Sequence, residues 1–173
     1  MTHFIRFLAL STILLAAACA SPDRFGTGDG GGVGVTAGVV PGSASDPTSP
    51  AFFQETVGDR VLFLVDQSTL SPTAQTTLEG QAQWLLTNTD YQAIIEGHAD
   101  EQGTTEYNIA LSARRANAVR EFLVERGVAG NRLRTLPLGK ERPASLCGNE
   151  SCWSQNRRAV TVISTGPAGA PLS

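Results

Sequence analysis

Apolar residues first run together over the length of a strand at Val61-Leu62-Phe63-Leu64-Val65, a pattern that predicts a strand buried on both faces. Ser71 followed by Pro72 is a helix-start signal, and Ala74, Leu78, Ala82 and Leu85 then recur at helical spacing toward an end near Asn88. Ile94 and Ile95 centre a second strand over residues 91–96, closed by Gly97 and followed by a polar loop through Glu106. The spacing predicts a second helix with Ser112 as its N-cap. Its Ala116, Val119 and Leu123 share one face, Phe122 lies beside them, and Gly127 stands where a terminating glycine belongs. Residues 133–138 and 159–164 give two more strands, separated by a long loop. The order βαβα followed by two strands predicts an α/β sandwich, with helices packed on one face of a mixed four-stranded sheet.

The N-terminus carries a different pattern. Arg6 precedes an apolar run over residues 7–18 that only Ser11 and Thr12 interrupt. The run is too short to span a bilayer and fits the apolar region of a secretory signal, with small residues Ala16, Ala17 and Ala18 before the cleavage point. Residues 1–18 are therefore expected to be removed. Cys19 directly after them resembles the acylated cysteine of a bacterial lipobox, although Ala16 stands where lipoboxes most often have leucine. Acyl chains contribute about 0.8 kcal/mol per buried methylene, so lipid on Cys19 would hold the chain at a membrane that its sequence cannot enter. From residue 21 to 50 the composition shifts to Gly, Pro, Ser, Thr and Ala, including Gly28-Asp29-Gly30-Gly31-Gly32 and Pro41, Pro47 and Pro50. Such a stretch buries too little apolar surface to offset chain entropy. Residues 19–51 thus read as a lipidated cysteine and tether, 52–166 as the globular domain and 167–173 as a frayed tail.

Charge and composition narrow the function. With 13 Lys and Arg against 16 Asp and Glu in 173 residues, net −3, the chain offers no broad basic surface for nucleic-acid phosphates. His98 has only His3 as company, which rules out a histidine-rich zinc site, and no metal or cofactor is expected. Cys147 and Cys152 lie close together in the long loop, and in an exported chain that spacing predicts a disulfide. Closing so small a ring contributes about 2 kcal/mol by the chain-entropy relation. An enzymatic reading would make His98 a base oriented by Asp100, with Ser112 or a cysteine as nucleophile. No Gly-x-Ser-x-Gly elbow supports it, Ser112 is accounted for as a cap, and His98 is better read as holding its loop by a hydrogen bond.

Asp100, in a loop leaving a strand, and Arg115, three residues into a helix begun at Ser112, carry the remaining chemistry. Free N–H groups at a helix start favour an anion, so a carboxylate site and a cation site would be adjacent. That pair matches a ligand with ammonium and carboxylate on one carbon, and arginine can hold the carboxylate through two parallel bonds. Charge-assisted bonds of this type contribute roughly 1.5–3 kcal/mol each. The plain alternative is a surface ion pair contributing about 0–1 kcal/mol. Arg114, Arg157 and Arg158 read more readily as solvated charges or partners for acidic loops, with Arg114 kept as a second-rank contact.

The segments Gly97-His98-Ala99-Asp100-Glu101-Gln102-Gly103-Thr104, Tyr107-Asn108 and Leu111-Ser112-Ala113-Arg114-Arg115-Ala116-Asn117-Ala118-Val119 resemble the OmpA C-terminal-like family. With Leu138-Gly139-Lys140-Glu141-Arg142-Pro143 and Asn156-Arg157-Arg158-Ala159-Val160, the likeness from about residue 59 to 164 is to its peptidoglycan-associated lipoprotein (Pal) branch. The resemblance implies a domain that binds peptidoglycan without cutting it. Asp100 would take the ammonium, and Arg115 the carboxylate, of meso-diaminopimelate in the stem peptide. Asn108 would shape the loop or touch the ligand, Leu111 would form an apolar wall, and Phe63 would match an aromatic at the end of the family's first strand. The chain departs from the family's usual Phe-Asp-Phe-Asp there, having Phe63-Leu64-Val65-Asp66, so the first acidic position is missing. The resemblance further implies an outer-membrane lipoprotein facing the periplasm, with TolB and other Tol proteins as partners and a role in envelope integrity and cell division. The rival expectation is a scaffold lipoprotein of the same fold in another envelope assembly.

Overall fold

The computed structural model describes residues 39–165; Cys19, the expected signal and the tail from residue 167 lie outside them. Strands β1 Arg60–Leu62, β2 Gln92–Gly97, β3 Leu133–Pro137 and β4 Arg158–Ser164 form one sheet in the order β1-β4-β2-β3. β2 and β3 are parallel while β4 pairs antiparallel with both neighbours, so the sheet is mixed as predicted. Parallel neighbours require a crossover, and helix α3, Thr105–Glu125, supplies it between β2 and β3. Helix α2, Pro72–Thr87, starts where the sequence places it, with the Ala74 N–H donating to Ser71 Oγ at 3.2 Å. The buried side chains of α2 and α3 meet one sheet face, that of Ala93, Ile95, Ala159 and Thr161. There the Thr161 hydroxyl and the Gln81 side-chain oxygen share a 2.7 Å hydrogen bond. Each fully buried Leu or Ile in this core contributes about 1.5–3 kcal/mol. Gly97 is a close-approach position: a methyl group there would overlap the Ser112 carbonyl of α3. Gly127, at φ +97°, ends α3, and the Val128 N–H reaches back to the Leu123 carbonyl at 3.1 Å.

Four local expectations are corrected. β1 stops at Leu62, and Leu64 and Val65 are exposed rather than buried on both faces. α3 is capped by Thr104, whose Oγ1 accepts the Tyr107 N–H at 3.2 Å, and Ser112 lies inside the helix, donating to the Ile109 carbonyl at 2.9 Å. The expected tether reaches less far than residue 51. The Trp84 indole N–H donates to the Pro47 carbonyl at 2.7 Å, Ser49 is buried, and a short helical segment follows as α1, Pro50–Phe52, and a π-wound turn, Phe53–Gly58. The long loop also contains a helix, α4, Glu150–Asn156, capped by Asn149.

His98 follows β2 with its ring buried, and its backbone N–H donates to the Arg158 carbonyl at 2.9 Å. Among the described residues neither ring nitrogen makes a hydrogen bond of ordinary geometry, although the Arg142 backbone lies near enough to oppose the fall in its pKa. Glu96 Oε2 stands 3.7 Å from Nε2. Burial above all, then the charges of Arg158 and Arg142, lower the pKa from 6.5 to about 4.

Arg115 lies midway along α3 and is fully buried. Its Nε, Nη1 and Nη2 donate to the carbonyls of Gln67 at 2.8 Å, His98 at 2.8 Å and Leu64 at 3.2 Å, and the guanidinium sits 5.3 Å from the Phe63 ring centroid. The expectation of an open cation near a helix start is overturned, because the helix begins ten residues earlier, at Thr105. Burial lowers its pKa to about 10, with Asp100 the chief opposing charge, so it is charged at neutral pH.

Two outcomes are expected. The unfolded chain protonates His98 near pH 6.5 and the folded chain only near 4, so stability is full above 6.5 and falls as pH drops through that window. Urea unfolding should show the wild type losing about 3 kcal/mol more than His98→Gln between pH 7.5 and pH 4, and equal losses would exclude the ring as the cause. Arg115→Ala should lower the unfolding free energy by on the order of 3 kcal/mol through three stranded carbonyls, where a solvent-facing arginine would change it by under about 0.5 kcal/mol.

Candidate functional site

A groove of about 290 Å³ separates the loop after β1 from the loop after β2, with Val65 and Asp66 from the first and Asp100, Gln102 and Gly103 from the second. Tyr107, Asn108 and Leu111 on the first turns of α3 complete its lining. The second loop is fixed by its own polar groups. Asp100 Oδ1 accepts the Gln102 N–H at 3.2 Å, closing an Asx turn. Asn108 Nδ2 donates to the carbonyls of Asp100 at 3.3 Å and Gln102 at 2.8 Å, and the Ala99 N–H donates to the Gly139 carbonyl at 2.8 Å. Across the groove Asp66 adopts φ +58°, a left-handed conformation that aspartate tolerates better than most residues.

Asp100 is 8% exposed, and its ion pair is with Arg157 rather than Arg115: Arg157 Nη1 donates to Asp100 Oδ2 at 3.1 Å. Arg157 is itself buried, contrary to a solvated charge, and it does partner an acidic loop. Of the expected site residues, Asp100, Asn108 and Leu111 line the groove. Arg115 stands behind it, close enough for Asp100 and Asp66 to act on its charge, but sealed from solvent. Phe63 is buried beneath Arg115 and lines a neighbouring groove with Leu62, Leu64 and Arg157, and Arg114 is exposed and lines neither. The Cys147–Cys152 disulfide is present.

Sequence reasoning missed Asp66, Tyr107 and the role of Arg157. Asp66 had a local signal, an acidic residue at the end of an apolar run, where a turn needs a residue tolerant of positive φ. Two carboxylates beside the apolar Val65 and Leu111 suit a small cation on an apolar stem. Arg115 has five N–H groups, of which three are bonded to carbonyls, and it lies behind the groove rather than in its lining. Among the described residues no group of three or more His, Cys, Asp or Glu could hold a metal ion, and no helix is long and apolar enough to cross a membrane.

A family model described as the OmpA family matches residues 62–157, the span from the last residue of β1 through α4 that holds the groove. A peptidoglycan-associated lipoprotein of Rhizobium meliloti (strain 1021) is 51% identical over 164 residues, covering 94% of this chain and 88% of the relative. Its counterpart in Pseudomonas aeruginosa is 38% identical over 167 residues, covering 91% and 96%. The crystal structure of the peptidoglycan-associated lipoprotein from Burkholderia pseudomallei superposes with a TM-score of 0.62 at 38% identity, over 69% of this chain and 97% of that one. The C-terminal domain of Helicobacter pylori MotB has a TM-score of 0.58 at 20% identity, over 62% and 85%, a likeness of fold. An acid-lined groove beside a buried arginine, on a mixed four-stranded sheet and within a chain half identical to such relatives, places this protein in the OmpA family, among the peptidoglycan-associated lipoproteins.

Proposed function

We propose that this chain binds peptidoglycan non-covalently and holds it to the outer membrane through lipid on Cys19, with the domain facing the periplasm. The observation that carries the reading is the groove between Asp66 and Asp100, which falls on the residues where the family resemblance puts its ligand acid. The free end of meso-diaminopimelate carries an ammonium and a carboxylate on one carbon with an apolar chain behind. Asp100, joined by Asp66, takes the ammonium, Leu111 and Val65 flank the chain, and Arg115, sealed behind the groove, adds a positive charge on the carboxylate's side rather than a direct contact. Asn108 acts through the loop it ties together. The named relatives support the wall as partner, since each bears peptidoglycan association in its name. In this reading the protein is a linker and not an enzyme, and it works with TolB and the other Tol proteins in envelope integrity and cell division.

Sedimentation of the full chain with purified sacculi tests the reading. The wild type should pellet with the wall, free meso-diaminopimelate should displace it, and no soluble muropeptide should be released. Asp100→Asn should raise the apparent Kd about tenfold or more, the equivalent of one charge-assisted bond. A wild-type Kd in Asp100→Asn would remove the acid from the site, and a wild type left in the supernatant would favour a scaffold role instead.

A further inference from the structure

Asp100 cannot fix its own geometry, because its Oδ1 is held only by the nearby Gln102 N–H and its Oδ2 depends on a side chain from the far end of the domain. That side chain is Arg157, just before β4, which gathers three segments. Its Nε donates to the Phe63 carbonyl at 3.3 Å, its Nη1 to Asp100 Oδ2 at 3.1 Å and to Glu150 Oε2 at 3.3 Å, and its Nη2 to Glu150 Oε1. Glu150 is the first residue of α4, and its side chain is 63% exposed, so packing does not hold it. What restrains it is the backbone of that first turn, and this turn lies within the ring that Cys147 and Cys152 close. The Cys147 N–H also donates to Cys152 Sγ at 3.2 Å. A second strut joins the same helix to the ligand loop, with the Trp153 indole N–H donating to Glu101 Oε1 at 2.9 Å.

We propose that Arg157 is the positioning residue of the wall-binding groove, and that the Cys147–Cys152 ring sets its position through Glu150. The proposal rests on the reading of Asp100 as the ligand acid. Arg157 holds one oxygen of that acid and leaves the carboxylate edge toward the groove for an incoming ammonium. A guanidinium does this through a rigid planar fork that meets Asp100 and Glu150 at once, whereas lysine would bring the same charge as a single mobile point. Opening the ring frees the first turn of α4, Glu150 leaves the fork, and Arg157 and Asp100 become free to rotate. The consequence is weaker wall binding by a domain that is still folded, because the sheet and the core under α2 and α3 take no part in this strut.

The test is the apparent Kd of the full chain for purified sacculi, with thermal melting to confirm folding. Arg157→Lys should raise the Kd about tenfold, as expected when a two-pronged charge-assisted contact becomes single. Glu150→Gln with the ring intact, and Cys147→Ser with Cys152→Ser, should each raise it about threefold, and combining them should add little because both changes cut one strut. A purely structural loss would leave the melting temperature and the Kd moving together; here the Kd moves in Glu150→Gln while melting does not. Wild-type binding by Arg157→Lys, or fully additive effects of Glu150→Gln and ring removal, would overturn the proposal while Asp100→Asn still binds weakly. If Asp100→Asn itself binds as wild type, the assignment of the acid fails first and the positioning role falls with it.

Discussion

A permanently charged guanidinium sealed inside the domain decides how the loops around the groove are built. A buried ion without partners is strongly unfavourable, so whatever surrounds Arg115 must present oxygen to it. The nearest oxygens are backbone carbonyls of Leu64, Gln67 and His98. Committing the Leu64 and Gln67 carbonyls inward takes the chain out of the sheet after Leu62 and turns the intervening side chains outward. This accounts for two otherwise odd features, the exposure of Leu64 and Val65 at 67% and 55% and the left-handed backbone at Asp66. The same commitment brings Val65 and Asp66 to the rim of the groove.

The two walls of the groove are thus each held by an arginine reaching from elsewhere in the fold. Arg115, on the crossover helix, ties down the loop after β1 and the end of β2. Arg157, at the start of β4, ties the loop after β2 to the exit of β1 and to α4. Neither guanidinium is exposed; Asp66 is exposed at the rim, while Asp100 lines the groove largely buried. Asp66 and Asp100 share the groove, with Asp100 paired from behind by Arg157 and the Lys140 ammonium donating to the Gly103 carbonyl at 3.1 Å.

Much of the fold was legible because its signals are local. The Ser71-Pro72 cap, the stripe from Ala74 to Leu85, Gly127 and the pairing of Cys147 with Cys152 each depend on neighbours a few residues away, and each stands as read. The start of α3 was hidden because three of the four inward positions of its first half, Asn108, Ser112 and Arg115, are polar and Leu111 alone is apolar, so a search for apolar periodicity finds the helix only from Ala116 onward. That one displacement carried Arg115 from the middle of a helix to its beginning, and with it from a buried clasp to an open ligand contact. The run from Val61 to Val65 misled for the opposite reason: its composition is that of a buried strand, but a residue 51 positions away claims the Leu64 carbonyl. Arg157 could be read as a partner for some acidic loop, yet which acid it meets, 57 positions distant, is decided by strand order alone.

The distribution of hydrogen bonds also argues for a grip that is specific before it is strong. Most of the charged donors near the groove are already bonded to the protein's own carbonyls and carboxylates, so a ligand meets few free partners, each contributing roughly 1.5–3 kcal/mol at best. What those internal bonds supply is position, since the ligand need not order the loops it meets. Under the proposed role, with lipid on Cys19 fixing the chain at the membrane, such a site would be sufficient. Confinement beside the wall would then set an effective concentration that a freely diffusing protein lacks, so a modest affinity would keep the groove occupied while each contact could still exchange as the envelope grows.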